Sequence, residues 1–515
     1  MSLMNDHDGL FTLIKSMTMS EKRYFKISAS KHIIGEQNKY IRLFEALEKQ
    51  KNYDEELLRK KFRDKNFMKQ LPVTKNYLSN FILKAMRIYN SQASINSELK
   101  GMLTDAEYLY GKGLYHHCSK ILRKAKKFAS KYEQYIELLE ILDIERRLNI
   151  QRGSDALNME TKSIQLFKEK DAILAKLKNL DKYQAIDDYL ISYMRKGPTR
   201  TKKDETRYRE LLSNILLKNE ELAITSRSKR VFYNVQAHAH LSNGDLSAGY
   251  IYRKKMLDFI ELHPEQTEIN PGVYILALGN IILTCCDQKK FKEAMLYIDK
   301  LRKYNVNSVE HKVKVFQITY LHELHILLTT AQYEKAINLM PEVEKGLKMY
   351  FGKINKQYEI IFYFNIATIY NVVGRYNDAL AWNNKLLNDR EVAIRYDVLC
   401  QARILNIIIH FELGNYDQLE YLAISAQRFL QKKNYLHQVE AAFLNFISLK
   451  LPRIMHNKKM LIRALAELKD DILVVKKKKI EASRFEYFDF ISWLESKIEN
   501  RSFAEIVAKK SSRKN

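Results

Sequence analysis

The stretch His322-Glu323-Leu324-His325 sets two imidazoles three residues apart, close enough on one helix face to grip a metal ion. The zinc-protease motif H-E-x-x-H places its histidines differently, four apart. No third ligand accompanies the pair, so we read His325 as lining a groove and His322 as solvated. Cys285-Cys286 could suggest redox chemistry, but buried thiols are inert, and we read Cys285 as a small core residue. Asp187-Asp188 and Asp470-Asp471 are adjacent pairs; on a helix they splay apart and cannot share a proton. His238 and His240 point to different helix faces, and His116-His117 sit at a helix start where exposed polar residues are ordinary. The chain contains no G-x-x-x-x-G-K-[ST], G-x-G-x-x-G or G-x-S-x-G. These residues predict no catalytic centre, no metal and no cofactor: the expectation is a protein that is not an enzyme.

Charge offers more. Lysine and arginine number 87 against 61 acids, a formal net charge of +26. A field of that sign attracts acidic proteins, nucleic acid or anionic surfaces. The bases gather in runs: Arg59 to Lys69, Arg123 to Lys131, Arg195 to Arg209, Arg227 to Arg230 and Lys476 to Lys479. The candidates for a basic patch are Arg195, Lys196, Arg200, Lys202 and Lys203, with Lys476, Lys477, Lys478 and Lys479. Lysine-rich runs without a base-reading motif would hold phosphates without sequence choice.

The elements that must carry these residues are helices. Fifteen glycines and six prolines make up about 4% of the 515 residues, where roughly 12% is usual. A chain so poor in breakers predicts an all-α fold. No stretch reaches the ~18 apolar residues of a membrane span, and the start M-S-L-M-N-D-H-D-G-L reads poorly as a signal peptide. Four cysteines without C-x-x-C spacing fit a reducing compartment, so the expected location is cytoplasmic, with no membrane insertion.

Within this helical chain a motif recurs. Tyr363, Ile366, Ala367 and Tyr370 share one helix face, Gly374 ends that helix, and Tyr376 and Ala379 follow in the next. A small residue at Ala379 lets two helices approach as an antiparallel hairpin. Comparable turns fall at 113, 244, 289, 331, 374 and 414; the last five are 45, 42, 43 and 40 residues apart. Weaker signals at Gly153-Ser154, Gly197-Pro198, Leu71-Pro72 and His456-Asn457 extend the series. The motif resembles the tetratricopeptide repeat, with its aromatic, Leu, small, Tyr, Gly, Tyr and Ala slots, over residues 100 to 430. Some slots depart from it, notably Asp105, Glu323, Arg403 and Asn406. A tetratricopeptide unit has about 34 residues; the longer period here predicts longer helices.

The resemblance implies a right-handed α-solenoid of about ten antiparallel helical hairpins, period about 40–45 residues, whose first helices line a concave groove. Asn234, His238, Asn280, His322, His325, Asn365, Thr368 and Asn371 are the residues expected to face it. Such asparagines resemble those by which tetratricopeptide grooves hold the backbone of an extended peptide. The ends differ. Residues 1–70 carry shorter helices, with capping-box spacing at Thr18 to Glu21, a face of Tyr40, Leu43, Phe44 and Leu47, a cap at Asp54, and Thr74 ahead of a longer helix. The solenoid is expected over 71–456, capping helices carrying Tyr487, Ile491, Leu494 and Ile498 over 457–508, and a disordered basic tail over 509–515. The expected role is a scaffold whose groove takes a peptide or helix from another, acidic protein. Two other roles compete: association with RNA, a ribosome or DNA through the basic surface, or a regulator whose segment Glu21 to Ala46 reads DNA.

Overall fold

Left-handed turns punctuate the described helices, and six of them share a pattern: φ is +74° at Gly113, +81° at Gly244, +59° at Lys289, +57° at Ala331, +80° at Gly374 and +74° at Gly414. These are the six positions marked by the repeat motif. Around Gly374 the Arg375 N–H donates to the Tyr370 carbonyl at 2.8 Å and the Gly374 N–H to that of Asn371 at 3.2 Å. The same two bonds close the turns at Lys289 and Ala331. This double closure satisfies the orphan carbonyls of a helix end and reverses the chain within three residues. Five residues beyond each turn lies a buried position: Cys118, Gly249, Ala294, Ala336, Ala379 and Leu419. Five of the six are small, which is what close approach of two backbones demands.

The computed structural model describes residues 9–30, 39–62, 69–89, 94–151, 156–196, 201–389, 395–476 and 488–512. Among them every regular element is helical, and no helix is long and apolar enough to cross a membrane. Many helices have 17 residues, including Tyr115–Lys131, Tyr135–Gln151, Leu246–Leu262, Lys356–Val372 and Tyr396–Glu412. Two such helices with their connections account for a period beyond forty. The contacts divide the chain into two units, residues 1–232 with 263–269, and 233–262 with 270–515.

Two apolar centres are formed by described residues in the N-terminal part of the first unit. One gathers Leu10, Ile14, Phe25, Leu43, Phe44 and Leu78 from the short N-terminal helices. There Thr18 and Glu21 cap each other reciprocally, the Thr18 N–H reaching Glu21 Oε2 at 2.7 Å and the Glu21 N–H reaching Thr18 Oγ1 at 3.2 Å. Asp54 accepts from the Leu57 N–H at 3.1 Å. Thr74 is not a cap: helix Leu71–Tyr89 already includes it, and its hydroxyl donates to the Gln70 carbonyl. The second centre joins Ile95–Gly111, Tyr115–Lys131 and Tyr135–Gln151. Beyond it the repeat expectation breaks down. A hairpin pattern requires a chain reversal between 153 and 197, but Ala156–Lys196 is one helix of 41 residues. The sequence there holds no glycine or proline, so nothing interrupts the hydrogen-bond ladder. Its buried positions are Leu166, Ile173 and Leu180, seven residues apart, and then Tyr183, Ile186, Leu190 and Tyr193 at spacings of three and four, so one face is covered along the helix without a break. Gly153-Ser154 and Gly197-Pro198 lie outside the described residues.

The second unit is a series of helix pairs: Pro271–Asp287 with Phe291–Lys303, Val309–Thr329 with Tyr333–Met349, Lys356–Val372 with Tyr376–Leu387, and Tyr396–Glu412 with Tyr416–Lys432. Within this series each first helix packs on the first helix of the next pair. One core runs through Leu324, Phe362, Ile366, Ile404, Phe443 and Trp493. Next come Gln438–Asn445 and Leu451–Ile454, joined by a π-helical turn at Phe446–Lys450 in which the Leu451 N–H reaches the Phe446 carbonyl. Pro452, which has no N–H to donate, follows that wider turn. Phe490–Ile498 closes the unit: Trp493 Nε1 donates to Glu412 at 2.7 Å and Lys497 pairs with it at 2.6 Å. Helix Phe503–Ser512 carries the chain through residues expected in a disordered tail, anchored by Lys510 on Glu495 at 2.6 Å. Tyr487 lies outside the described residues.

Candidate binding site

The first helices of the second unit present the face on which the peptide-holding residues were expected, and those residues divide into two sets. Asn280, on Pro271–Asp287, is half-buried, and so is Asn365, on Lys356–Val372; His325, on Val309–Thr329, is exposed. Leu276 and Leu283, one turn either side of Asn280, are exposed at 56% and 48%. Sequence reading assigned no role to these two leucines, because a leucine on an amphipathic helix is ordinarily counted into the core. Together Leu276, Asn280 and Leu283 make a stripe at i, i+4 and i+7, the spacing by which one helix receives another.

The other set is built into the protein. The Asn234 amide oxygen accepts from the Arg253 guanidinium at 2.5 Å, and burial pushes that guanidinium down to about 10. His238 is half-buried with its Nδ1 at 3.4 Å from the Ser242 hydroxyl. Thr368 is buried and donates to the Phe364 carbonyl of its own helix at 2.9 Å. Asn371, expected on the open face, is only 1% exposed, and neither atom of its amide has a hydrogen-bond partner among the described residues. The later turns of Lys356–Val372 are buried all round, from Ile366 to Val372, so a helical count from an assumed open side misplaces these two residues. Of the two histidines, His325 was expected to line the groove and His322 to be solvated. His325 is exposed, while His322 is half-buried and pushed down to about 4, first by burial and then by His325. Cys285 and Cys286 are buried, and burial raises both thiols to about 12; a thiol at that value is a poor nucleophile at neutral pH.

The basic candidates are only partly described. Lys202 and Lys203 are exposed in the first turn of Lys202–Leu212, where Thr201 and Asp204 cap each other. Arg200, Lys477, Lys478 and Lys479 lie outside the described residues, as do the side chains of Arg195, Lys196 and Lys476. Elsewhere the basic runs are partly neutralised within the fold. Lys126 bridges Glu145 at 2.7 Å and Glu169 at 2.8 Å.

A feature that sequence reasoning missed is a cleft of about 770 Å³ between Phe291–Lys303, Val309–Thr329 and Tyr333–Met349. Gly346 makes it possible. A Cβ at Gly346 would stand 2.0 Å from the Phe316 ring, so only glycine lets that ring lie across the second helix. Phe316 meets Tyr320 with ring centres 5.0 Å apart and Tyr350 at 5.5 Å, forming an aromatic wall. Arg302 stacks over Tyr320 at 4.4 Å and pairs with Glu323, the acid that departs from the repeat pattern. The Tyr320 hydroxyl donates to Glu342 at 2.8 Å. Lys303, Lys312 and Lys345 stand exposed around the rim, each from a different segment, with no ion-pair partner among the described residues. The signal available in sequence was a glycine inside a helix with no turn to serve. Compared with protein-family models and with curated proteins, the chain matches none.

Proposed function

We propose that the chain is a non-enzymatic protein–protein interaction scaffold. Its second unit is read as a right-handed stack of tetratricopeptide-like helical hairpins that holds a helix or peptide of an acidic partner on the face of its first helices. The observation that supports this is the stripe of exposed Leu276 and Leu283 around half-buried Asn280, with Asn365 and His325 on the first helices of later pairs. Apolar side chains at i and i+7 with an amide between them suit an amphipathic helix, and the net charge of +26 favours an acidic one.

The test is a pull-down from native cell extract with nuclease present, comparing the wild type with Leu276→Ser/Asn280→Ala/Leu283→Ser. The three side chains are exposed or half-buried, so melting temperature is expected to stay unchanged while recovery of the bound protein is lost. Recovery that vanishes with nuclease alone would transfer the role to nucleic acid. Equal recovery by both proteins would remove the first-helix face from the reading.

A further inference from the structure

The cleft between Phe291–Lys303, Val309–Thr329 and Tyr333–Met349 lies apart from the stripe at Leu276 and Leu283, and its chemistry is different. Three lysines at its rim outnumber the one acid that lines it, Glu342, and none of them forms an ion pair with a described acid. Of its fixed ionic groups, Arg302 is committed to Glu323, and Glu342 accepts the Tyr320 hydroxyl. The wall is apolar and rigid, because Phe316 is wedged over Gly346 between Tyr320 and Tyr350. Met349, 61% exposed, continues it outward. A volume of about 770 Å³ lies within the range of ligand sites.

We propose that this cleft binds an acidic peptide segment carrying one apolar anchor residue, as a second contact for the partner of the scaffold; the proposal rests on that reading. The anchor lies against Tyr350 and Met349, which the buried Phe316 ring backs, and carboxylates on either side meet Lys303, Lys312 and Lys345. Lysines are separate point charges here, set on three different segments, which matches carboxylates spread along a chain better than one compact phosphate. The only arginine fork at the site already holds a carboxylate. Stacked bases fit poorly, since one face of Tyr320 is covered by Arg302 and Phe316 stacks on Phe362 with ring centres 5.5 Å apart.

The experiment is fluorescence anisotropy on the full chain with a labelled synthetic peptide of alternating Asp and Glu around a single Phe. Comparison probes are the same peptide with Phe replaced by Ser, a short single-stranded RNA, and inorganic phosphate as competitor. Lys312→Glu/Lys345→Glu is expected to weaken the Phe peptide by about tenfold or more, at an unchanged melting temperature because both lysines are exposed. The Ser peptide is expected to bind several-fold more weakly than the Phe peptide, and millimolar phosphate to displace neither. Unchanged peptide affinity in the double variant overturns the proposal, as does an RNA affinity that falls as far as the peptide affinity. Peptide binding lost in the Leu276/Asn280/Leu283 variant, but kept in the lysine variant, overturns the cleft and leaves the scaffold reading standing. Loss in the lysine variant alone, with the stripe variant still recovering its protein, sustains the cleft and overturns the first-helix face.

Discussion

Gly346 and His322 are single residues whose surroundings set measurable limits. Adding one methyl at Gly346 would drive into the Phe316 ring, 2.0 Å away, and the ring is held in turn by Tyr320, Tyr350 and Phe362. Gly346→Ala is therefore expected to cost about 1–3 kcal/mol, the range of core overpacking. It should also narrow the cleft. A denaturation midpoint equal to wild type would show that Phe316 moves aside freely. His322 is held down at about 4 against an ordinary value of 6.5. Between those values the unfolded chain binds more protons than the folded one. Stability tied to His322 is thus complete above about 6.5 and is lost as pH falls toward 4. Calorimetry from pH 7 to 4.5 should show a steeper fall in Tm for the wild type than for His322→Gln. Parallel curves would mean that His322 is hydrated in solution. A glycine inside a helix marks Gly346 in the sequence, but neither Gly346 nor His322 has a local signature of the ring or the neighbour facing it.

At the scale of elements, the turns were legible and the long helix was not. Gly113, Gly244, Gly374 and Gly414 announce left-handed turns because other residues adopt that conformation only at a cost. Lys289 and Ala331 carry no such mark, and the repeat slots on either side, such as Phe291 with Ala294 and Tyr333 with Ala336, pointed to them. The same two residues offer a test. Ala331→Gly and Lys289→Gly should each stabilise by about 1 kcal/mol, and Gly374→Ala should destabilise by a similar amount. No atom lies within 4 Å of a Cβ built at Gly374, so backbone strain alone decides that substitution. Urea titrations with opposite shifts in midpoint are the expected result; shifts of one sign would dissociate the turns from backbone strain. Ala156–Lys196 eluded the repeat because a period counted from turn to turn assumes a reversal midway, and the reversal needs a breaker that the sequence lacks. The open face was half-legible for a related reason. A helix count identifies the side facing away from the paired helix, but not what the rest of the chain lays over it, as Thr368 and Asn371 show.

For the whole molecule, composition foretold helices and charge, but not the cleft where unpaired lysines meet aromatic rings. Most contacts in the second unit join helices next to each other in the chain, and local contacts form early in folding. Glu412 is different. Its side chain is 9% exposed, and its partners Trp493 and Lys497 come 81 and 85 residues later. Closing a segment of that length loses more chain entropy than zipping neighbouring helices, so this contact belongs to the last phase of assembly. The chain has only two tryptophans. Trp382 sits in a local helix pair against Tyr363 with ring centres 5.6 Å apart, whereas Trp493 is 1% exposed at the late contact. A Trp382→Phe protein would then carry a single tryptophan, whose emission, excited beyond the tyrosine absorption band, changes when the end of the chain docks. In stopped-flow refolding its emission change should lag the far-ultraviolet circular dichroism signal, and simultaneous signals would place the docking among the early steps. The indole of Trp493 is thus a built-in clock for the completion of folding.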